Sequence, residues 1–221
     1  MSRERILGNI RQALKRSSPP DTVPLETRLS EAPTGPIPAR GQLPRAQRIE
    51  LFIEMAKRAV ASVTRVPSTA EVPAAVAQFL ARENLPARLK LAPDPALTGL
   101  PWERRPLIEV STGASGGDDP VSLCHAEAGI AETGTLMLAS GPKSPSTLNF
   151  LPESEIVLLP ADRVVGGLEE AWSLLRSRLP AGEMPRTVNF ITGPSRSADI
   201  GQKIQLGAHG PRRLHIIVVG E

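Results

Sequence analysis

The segment Leu214–Val219 reads LHIIVV, a nearly continuous apolar run close to the end of the chain. A run of this kind, without polar alternation, is typical of a strand buried on both faces of a sheet. Thr135–Leu138 and Glu155–Leu159 are predicted as further strands of this type. Because strands buried on both faces are usually parallel and covered by helices, these segments indicate a largely parallel sheet.

Helical segments alternate with these strands. The segment Ala46–Ala61 is predicted as a helix, because Ile49, Phe52 and Ala56 form one apolar stripe. Together, the segments predict an α/β fold, a mostly parallel sheet with helices covering both faces. The other predicted helices are Val72–Asn84 and Leu168–Leu179, the other strands Ala61–Val66, Leu89–Ala92, Leu107–Val110, Val121–Cys124 and Thr187–Ile191, and two segments, Ala126–Ile130 and Ala198–Leu206, are predicted as turns or short helices.

Residues 1–44 are predicted to form an N-terminal helix and a proline-rich arm, and residues 45–221 the α/β domain. Arg3–Arg16 has an apolar face and basic flanks, which predicts an amphipathic helix that docks on this chain or on a partner. Ser17–Pro44 contains seven prolines, so a linker without regular helix is expected there. Residues 1–48 carry nine Lys/Arg and four Asp/Glu, a net charge of +5.

The composition excludes several classes of protein. One cysteine, Cys124, cannot form a disulfide within the chain, a four-thiolate iron–sulfur cluster or a cysteine-based zinc finger. No apolar run approaches the roughly 20 residues of a membrane span, and the basic start lacks the apolar stretch of a secretory signal. We therefore expect a cytoplasmic protein without a transmembrane segment. Aromatic residues make up only 3% and Tyr is absent, which argues against nucleic-acid binding.

The turn at Glu132–Thr135, ETGT, leads directly into an apolar strand. The backbone freedom of Gly134 and the hydroxyls of Thr133 and Thr135 would suit a carbonyl or anionic ligand, with Glu132 as base or nucleophile. The competing interpretation is a strand-entry turn in which Glu132 caps local backbone N–H groups. The sequence pattern leaves both interpretations open.

The loop Thr192–Asp199, TGPSRSAD, follows a predicted strand and precedes a predicted turn or helix. Ligands of open α/β sheets bind beyond the carboxyl ends of strands, and a helix start offers free N–H groups to anions. The spacing matches neither a Walker motif nor GxGxxG, so a small anion is favoured over a nucleotide. The candidate ligand-binding residues of this loop are Gly193, Ser195, Arg196, Ser197 and Asp199, although Asp199 would also suit a helix start.

The segment Gly207–Pro211, GAHGP, precedes the last strand. His209 lies between Gly207 and Gly210. It could exchange a proton near neutral pH, or it could be an ordinary hydrogen-bonding loop histidine. Gly207 and Gly210 are candidate ligand-binding positions. We expect the three turns, at Glu132–Thr135, Gly193–Asp199 and Gly207–Gly210, to converge at one end of the sheet.

The segments AEAGIAETGTLML, SGPKSPSTLNFLPESEIVLLPADRVVGGLEEAW and TVNFITGPSRSADIGQKIQLGAHGPRRLHIIVVGE together resemble the LUD-domain family, in particular its lactate-utilisation C branch. The resemblance covers roughly residues 45–221. It implies a fold like that of sugar-phosphate isomerases, CoA transferases and 5-formyltetrahydrofolate cyclo-ligase. It also implies a role in oxidising L-lactate to pyruvate alongside iron–sulfur partner proteins.

Two functional hypotheses follow. The first is an accessory subunit of an L-lactate oxidation system, without a cofactor of its own, that binds a small anion or a partner at the three turns. The second is a free-standing enzyme acting on a CoA ester, a sugar phosphate or a folate-like substrate through Glu132. In both, Glu132 and His209 are the candidate catalytic residues, no metal is expected, and self-association into a homo-oligomer is left open.

Overall fold

A computed structural model describes residues 2–15, 21–31, 33–180, 182–197 and 205–220. The chain divides into two units, Met1–Pro36 and Ile37–Glu221, so the first unit ends within the predicted arm. Among the described residues, no helix is both long enough and apolar enough to span a bilayer.

The first unit contains two helices, α1 (Arg3–Ala13) and α2 (Val23–Glu31), neither of which buries a residue. Helix α2 corrects the prediction that residues 17–44 contain no regular helix. Pro24 is the second residue of α2, a position whose missing N–H would have no acceptor within the helix. The Asp21 carboxylate also accepts the N–H of Val23 at 3.0 Å, which starts the helix.

The second unit holds the remaining elements. Its helices are α3 (Arg45–Arg58), α4 (Val72–Arg82), α5 (Pro95–Thr98) and α6 (Leu168–Arg176). Its strands are β1 (Ser62–Val66), β2 (Arg88–Leu91), β3 (Glu109–Thr112), β4 (Val121–His125), β5 (Ala128–Ile130), β6 (Thr135–Ala139), β7 (Ser154–Pro160), β8 (Val164–Val165), β9 (Val188–Ile191), β10 (Arg196–Ser197), β11 (Gln205–Leu206) and β12 (Arg213–Val219).

Six strands form the central sheet in the order β1-β12-β7-β4-β2-β3, and every neighbouring pair is parallel. The predicted mostly parallel sheet is thereby confirmed. The middle strands β7 and β12 are almost completely buried, as their apolar runs indicate.

Helices cover both faces of the central sheet. On one face, Phe79 of α4 stacks on His215 of β12 with ring centroids 4.3 Å apart. On the other face, Phe52 of α3 and Leu159 of β7 converge on Gly129 of β5. His215 pairs with Ile156 and Leu159 pairs with Val218, so the odd spacing between them places these contacts on opposite faces.

A second sheet of four strands, in the order β8-β5-β6-β9, lies on the α3 side. Strand β6 pairs antiparallel with both β5 and β9, which corrects the expectation that Thr135–Leu138 and Thr187–Ile191 belong to one mostly parallel sheet. Helix α6 packs Ala171 and Leu175 against this second sheet. The second sheet therefore packs beside the central sheet, with Gly129 of β5 close to Leu159 of β7.

One local prediction is wrong, and another falls only partly within the described residues. Ala128–Ile130 is the strand β5 and not a turn or short helix, because its pairing with β6 outweighs the weak strand preference of Ala and Gly. For the predicted turn or helix at 198–206, residues 198–204 lie outside the described part of the chain. Its last two residues form β11, which pairs antiparallel with β10.

Candidate functional site

The Glu132 side chain is 5% exposed and points to the start of helix α6. Its Oε1 accepts the N–H of Leu168, the first residue of α6, at 3.3 Å. The backbone N–H of Glu132 donates to the carbonyl of Gly166 at 3.1 Å. A carboxylate at this position satisfies an orphan N–H and interacts favourably with the helix dipole. The geometry favours the capping interpretation, while the predicted catalytic role of Glu132 stays a prediction.

The rest of the ETGT turn connects two elements of the fold. The Oγ1 atoms of Thr133 and Thr135 are 2.7 Å apart, and Thr135 Oγ1 is 2.7 Å from Thr192 Oγ1. Gly134 has a φ of +67°, and a Cβ there would collide with the backbone of Ala56 in α3. The turn therefore packs on α3 and holds Thr192 at the end of strand β9.

The loop after β9 is anchored to the end of helix α3. Gly193 has a φ of +72°, and a Cβ at this residue would collide with the carbonyl oxygen of Ala59. The same carbonyl accepts an N–H from Arg196 Nη2 at 2.8 Å. These contacts fix the position of the loop that carries Ser195.

Ser195 joins this loop to the segment before β12. Its backbone N–H donates to the carbonyl of Pro211 at 2.9 Å, and its carbonyl accepts the N–H of Gly207 at 3.0 Å. Its Oγ accepts the backbone N–H of His209 at 3.3 Å. A Cβ at Gly210 would lie only 3.4 Å from the Ser195 Cβ, so the two segments are in close contact.

A cavity of about 260 Å³ opens beside this junction. Its position is set by three strands, since it lies at the carboxyl end of β9 and at the amino ends of β7 and β12 of the central sheet. Its walls combine apolar rings with polar groups: Asn149, Phe150, Glu155, Phe190, Ile191, Thr192, Gly193, Pro194, Ser195, Arg196, His209, Gly210, Pro211 and Leu214.

The structure brings together some of the predicted site residues but not all of them. Gly193, Ser195, Arg196, His209 and Gly210 line the cavity, so two of the three turns converge as expected. The ETGT turn reaches the cavity only indirectly, through the contact between Thr135 and Thr192. Gly207 lines an adjacent surface groove together with His209 and Gly210, Ser197 belongs to β10, and Asp199 lies outside the described residues.

Two cavity residues were not predicted from the sequence, Glu155 and Asn149. They are 1% and 2% exposed, and within the described chain Glu155 Oε1 and Asn149 Oδ1 have no hydrogen-bond partner. Burial raises the pKa of the Glu155 carboxyl well above its ordinary value, which favours the neutral, protonated acid. The sequence signal for Glu155 is a carboxylate directly before the apolar run IVLL of strand β7, a residue type seldom buried without a partner.

The carboxyl ends of the central strands carry a charged cluster. His125 Nδ1 lies 3.5 Å from Asp94 Oδ2, and Arg163 donates to the carbonyl of Ala126 at 3.2 Å. Glu127 accepts from Arg178 at 3.0 Å. These groups neutralise one another, whereas two of the unpartnered buried polar atoms of the described residues, Asn149 Oδ1 and Glu155 Oε1, belong to residues that line the cavity. The cavity is therefore the candidate functional site.

Comparison with known proteins identifies relatives that are similar to this chain in sequence. Lactate utilization protein C from Geobacillus thermodenitrificans is 37% identical over 100 residues, which cover 45% of this chain and 42% of that protein. Lactate utilization protein C 1 from Bacillus mycoides is 39% identical over 93 residues, which cover 42% of this chain and 40% of that protein. The matched stretch thus spans less than half the length of these relatives.

A solved structure shares the architecture. A DUF162 family protein from Deinococcus radiodurans superposes with a TM-score of 0.59 at 25% identity, covering 80% of this chain and 99% of that one. The family model described as the LUD domain matches residues 49–219, which include both sheets and every residue of the cavity. The resemblance seen in the sequence is confirmed, and the chain belongs to the LUD domain family.

Proposed function

We propose that this chain is an accessory subunit of a system that oxidises L-lactate to pyruvate, and that it works with iron–sulfur partner proteins. The observation that carries the proposal is the cavity lined by residues of both sheets, two of which, Glu155 and Asn149, carry buried polar atoms without a hydrogen-bond partner in the described chain. The names of its relatives in the LUD domain family, Lactate utilization protein C, supply the metabolic context.

In the proposal, partner proteins supply the electron acceptor that lactate oxidation needs. Oxidation of lactate to pyruvate removes two electrons, which an acceptor must take up. Cys124 is the chain's one cysteine and is completely buried, so this chain cannot supply the thiolates of an iron–sulfur cluster. In the proposal the chain carries no redox cofactor of its own, and the electrons leave through the partner proteins.

The competing hypothesis, a free-standing enzyme that uses Glu132, receives no support from the geometry. The Glu132 carboxylate is engaged at the start of α6 and is not among the residues that line the cavity. A nucleophile or base must reach its substrate, and this carboxylate would first have to release the helix.

Affinity purification from cells grown on L-lactate tests the proposal. The tagged chain is expected to recover proteins that contain iron–sulfur clusters, recognised by iron and acid-labile sulfide analysis. A strain without the gene should lose growth on L-lactate and keep growth on pyruvate. Restoration by the wild-type gene serves as the control.

Two outcomes would count against the proposed role. Normal growth of the deletion strain on L-lactate would show that the chain is dispensable for lactate oxidation. Recovery of the tagged chain without iron–sulfur proteins, under conditions where a tagged iron–sulfur subunit retains its own partners, would remove the partner assignment.

A further inference from the structure

Two residues that line the cavity, Glu155 and Asn149, each carry a buried side-chain oxygen without a hydrogen-bond partner in the described chain. Glu155 projects from the amino end of β7, and Asn149 lies just before that strand in a one-turn 3-10 helix, Ser146–Asn149. Buried polar atoms in folded proteins are almost always hydrogen-bonded, and an unpaired one is costly. Two such atoms on the wall of one cavity point to a ligand that pairs with both.

The two groups need different hydrogen-bonding partners, one an acceptor and the other a donor. A protonated Glu155 carries an O–H donor, and Asn149 Oδ1 is an acceptor. A hydroxyl group meets both needs at once, because its oxygen accepts from Glu155 and its hydrogen donates to Asn149. A carbonyl oxygen accepts from Glu155 but offers nothing to Asn149 Oδ1.

The rim of the cavity favours a negative charge. Arg196 uses one N–H on the Ala59 carbonyl, and a guanidinium has five. The Ser195 hydroxyl, which accepts from the His209 backbone, keeps its own hydrogen for a ligand. The imidazole of His209 is exposed at the same rim. A carboxylate at the rim would therefore find hydrogen-bond donors on Arg196 and Ser195, with the His209 ring beside them.

The size of the cavity limits the ligand. At roughly 30 Å³ for each water-sized group, a volume of about 260 Å³ holds about nine such groups. This volume favours a small ligand such as a three-carbon acid over a nucleotide or a CoA ester.

We propose that the cavity binds a small 2-hydroxycarboxylate, whose hydroxyl bridges Glu155 and Asn149 and whose carboxylate lies at the rim with Arg196 and Ser195. The choice of L-lactate as probe rests on the proposed function, while the hydrogen-bond pattern rests on the cavity alone. Glu155 acts as a neutral donor in this site. Its ionisation would place a second negative charge beside the ligand and remove the donated proton.

Titration of the purified full chain by calorimetry tests the assignment with three probes: L-lactate, pyruvate and propanoate. L-lactate is expected to bind saturably at pH 7. Pyruvate should bind about tenfold more weakly or worse, since it leaves Asn149 Oδ1 unpaired, and propanoate should be weaker still. Equal affinities for L-lactate and pyruvate, or no saturable binding of L-lactate, would overturn the assignment.

Variants locate the contacts. Asn149→Leu is expected to reduce L-lactate affinity to that of pyruvate, and Glu155→Leu to abolish binding. Glu155→Gln keeps a donor without a titratable proton, so it should retain L-lactate binding within about threefold at pH 7. Glu127→Gln, at the opposite end of the central sheet, is the matched carboxylate control and should bind as the wild type does. Circular dichroism and thermal unfolding confirm that each variant is folded.

The pH profile separates a direct role of Glu155 from a structural one. L-lactate affinity of the wild type should fall as the pH rises through the raised pKa of Glu155, and in Glu155→Gln this fall should disappear. The other titratable or charged groups near this carboxyl are Cys124 on β4 and, at the cavity rim, Arg196 and His209. Repeating the profile in His209→Gln removes the histidine contribution. A profile unchanged by Glu155→Gln would contradict the proposed donor.

Different results would contradict the proposed accessory role and the proposed ligand. Loss of iron–sulfur proteins from the purification, with L-lactate binding intact, would remove the accessory role and leave the ligand assignment standing. Recovery of those proteins by a chain that does not bind L-lactate would do the reverse.

Discussion

At the scale of single residues, Glu155 links the cavity to the stability of the protein. Burial raises the pKa of its carboxyl in the folded state well above the ordinary value of 4.5 that applies in the unfolded chain. Unfolding therefore releases a proton between these two pKa values. The free energy of unfolding falls by about 1.4 kcal/mol for each pH unit in that window.

Glu155→Gln is expected to remove this contribution. The difference in unfolding free energy between the variant and the wild type should grow in favour of the variant as the pH rises above 5. Urea unfolding at pH 5, 6, 7 and 8 measures it. Parallel pH profiles for the two proteins would show that Glu155 is ionised in the folded state.

His215 carries the opposite pH dependence. Burial lowers its pKa from 6.5 to about 4, with a smaller contribution from the charge of Arg82, while the hydrogen bond with Ser62 opposes the shift. A folded-state pKa below the unfolded value means that unfolding takes up a proton between about pH 4 and 6.5. The contribution of His215 to the free energy of unfolding is therefore fully present above pH 6.5. It is lost as the pH falls toward 4, by on the order of 3 kcal/mol in all.

His215→Gln should flatten this part of the pH profile, whatever its effect on stability at pH 7. Urea unfolding between pH 4 and 7 gives the slope, and His209→Gln, an exposed histidine, is the matched control. A variant that retains the wild-type loss of stability below pH 6.5 would assign that loss to other groups.

At the scale of elements, the tight packing of the ETGT turn on α3 fixes the second sheet against the rest of the domain. Gly134→Ala combines a strained φ with a collision at the Ala56 backbone, neither of which a flexible side chain can relieve. We expect a loss of about 2–4 kcal/mol in the free energy of unfolding. Gly141→Ala is the control, because a Cβ there meets no atom within 4 Å and its change should stay within about 0.5 kcal/mol. Similar effects of the two substitutions in chemical denaturation would contradict the packing role.

The same scale shows what the sequence could predict. Strands β7 and β12 were predictable, because burial on both faces leaves a continuous apolar run. The antiparallel pairing of β5 with β6 was not, since Ala128–Ile130 has low strand preference and gains its partner only in the folded chain. Ser195 and His209 were found through their glycine-rich loops. Glu155 was missed because its neighbours on the strand are apolar, although that contrast is itself the signal.

At the scale of the whole molecule, the cavity depends on both sheets and belongs to no single element. The end of β9 belongs to the second sheet, and the starts of β7 and β12 belong to the first. Site residues separated by up to 65 positions, from Asn149 to Leu214, therefore share one wall. A ligand that contacts both sheets would stabilise their relative position, as any ligand that binds only the folded state does.

The distribution of buried residues predicts that the second unit folds independently. All the buried hydrophobic side chains of the described chain lie between Ile49 and Val218, and α1 and α2 bury none. A chain that begins at Ile37 should therefore unfold cooperatively, with a Tm within about 3 °C of the full-length value, since 1 kcal/mol shifts Tm by about 2–4 °C at this size. It should also bind L-lactate as the full chain does.

The sequence further predicts that the basic N-terminal helix aids docking, so the shortened chain should recover less iron–sulfur protein from cells. A large fall in Tm would show that the first 36 residues contribute to the core, and undiminished recovery of the partners would assign docking to the second unit.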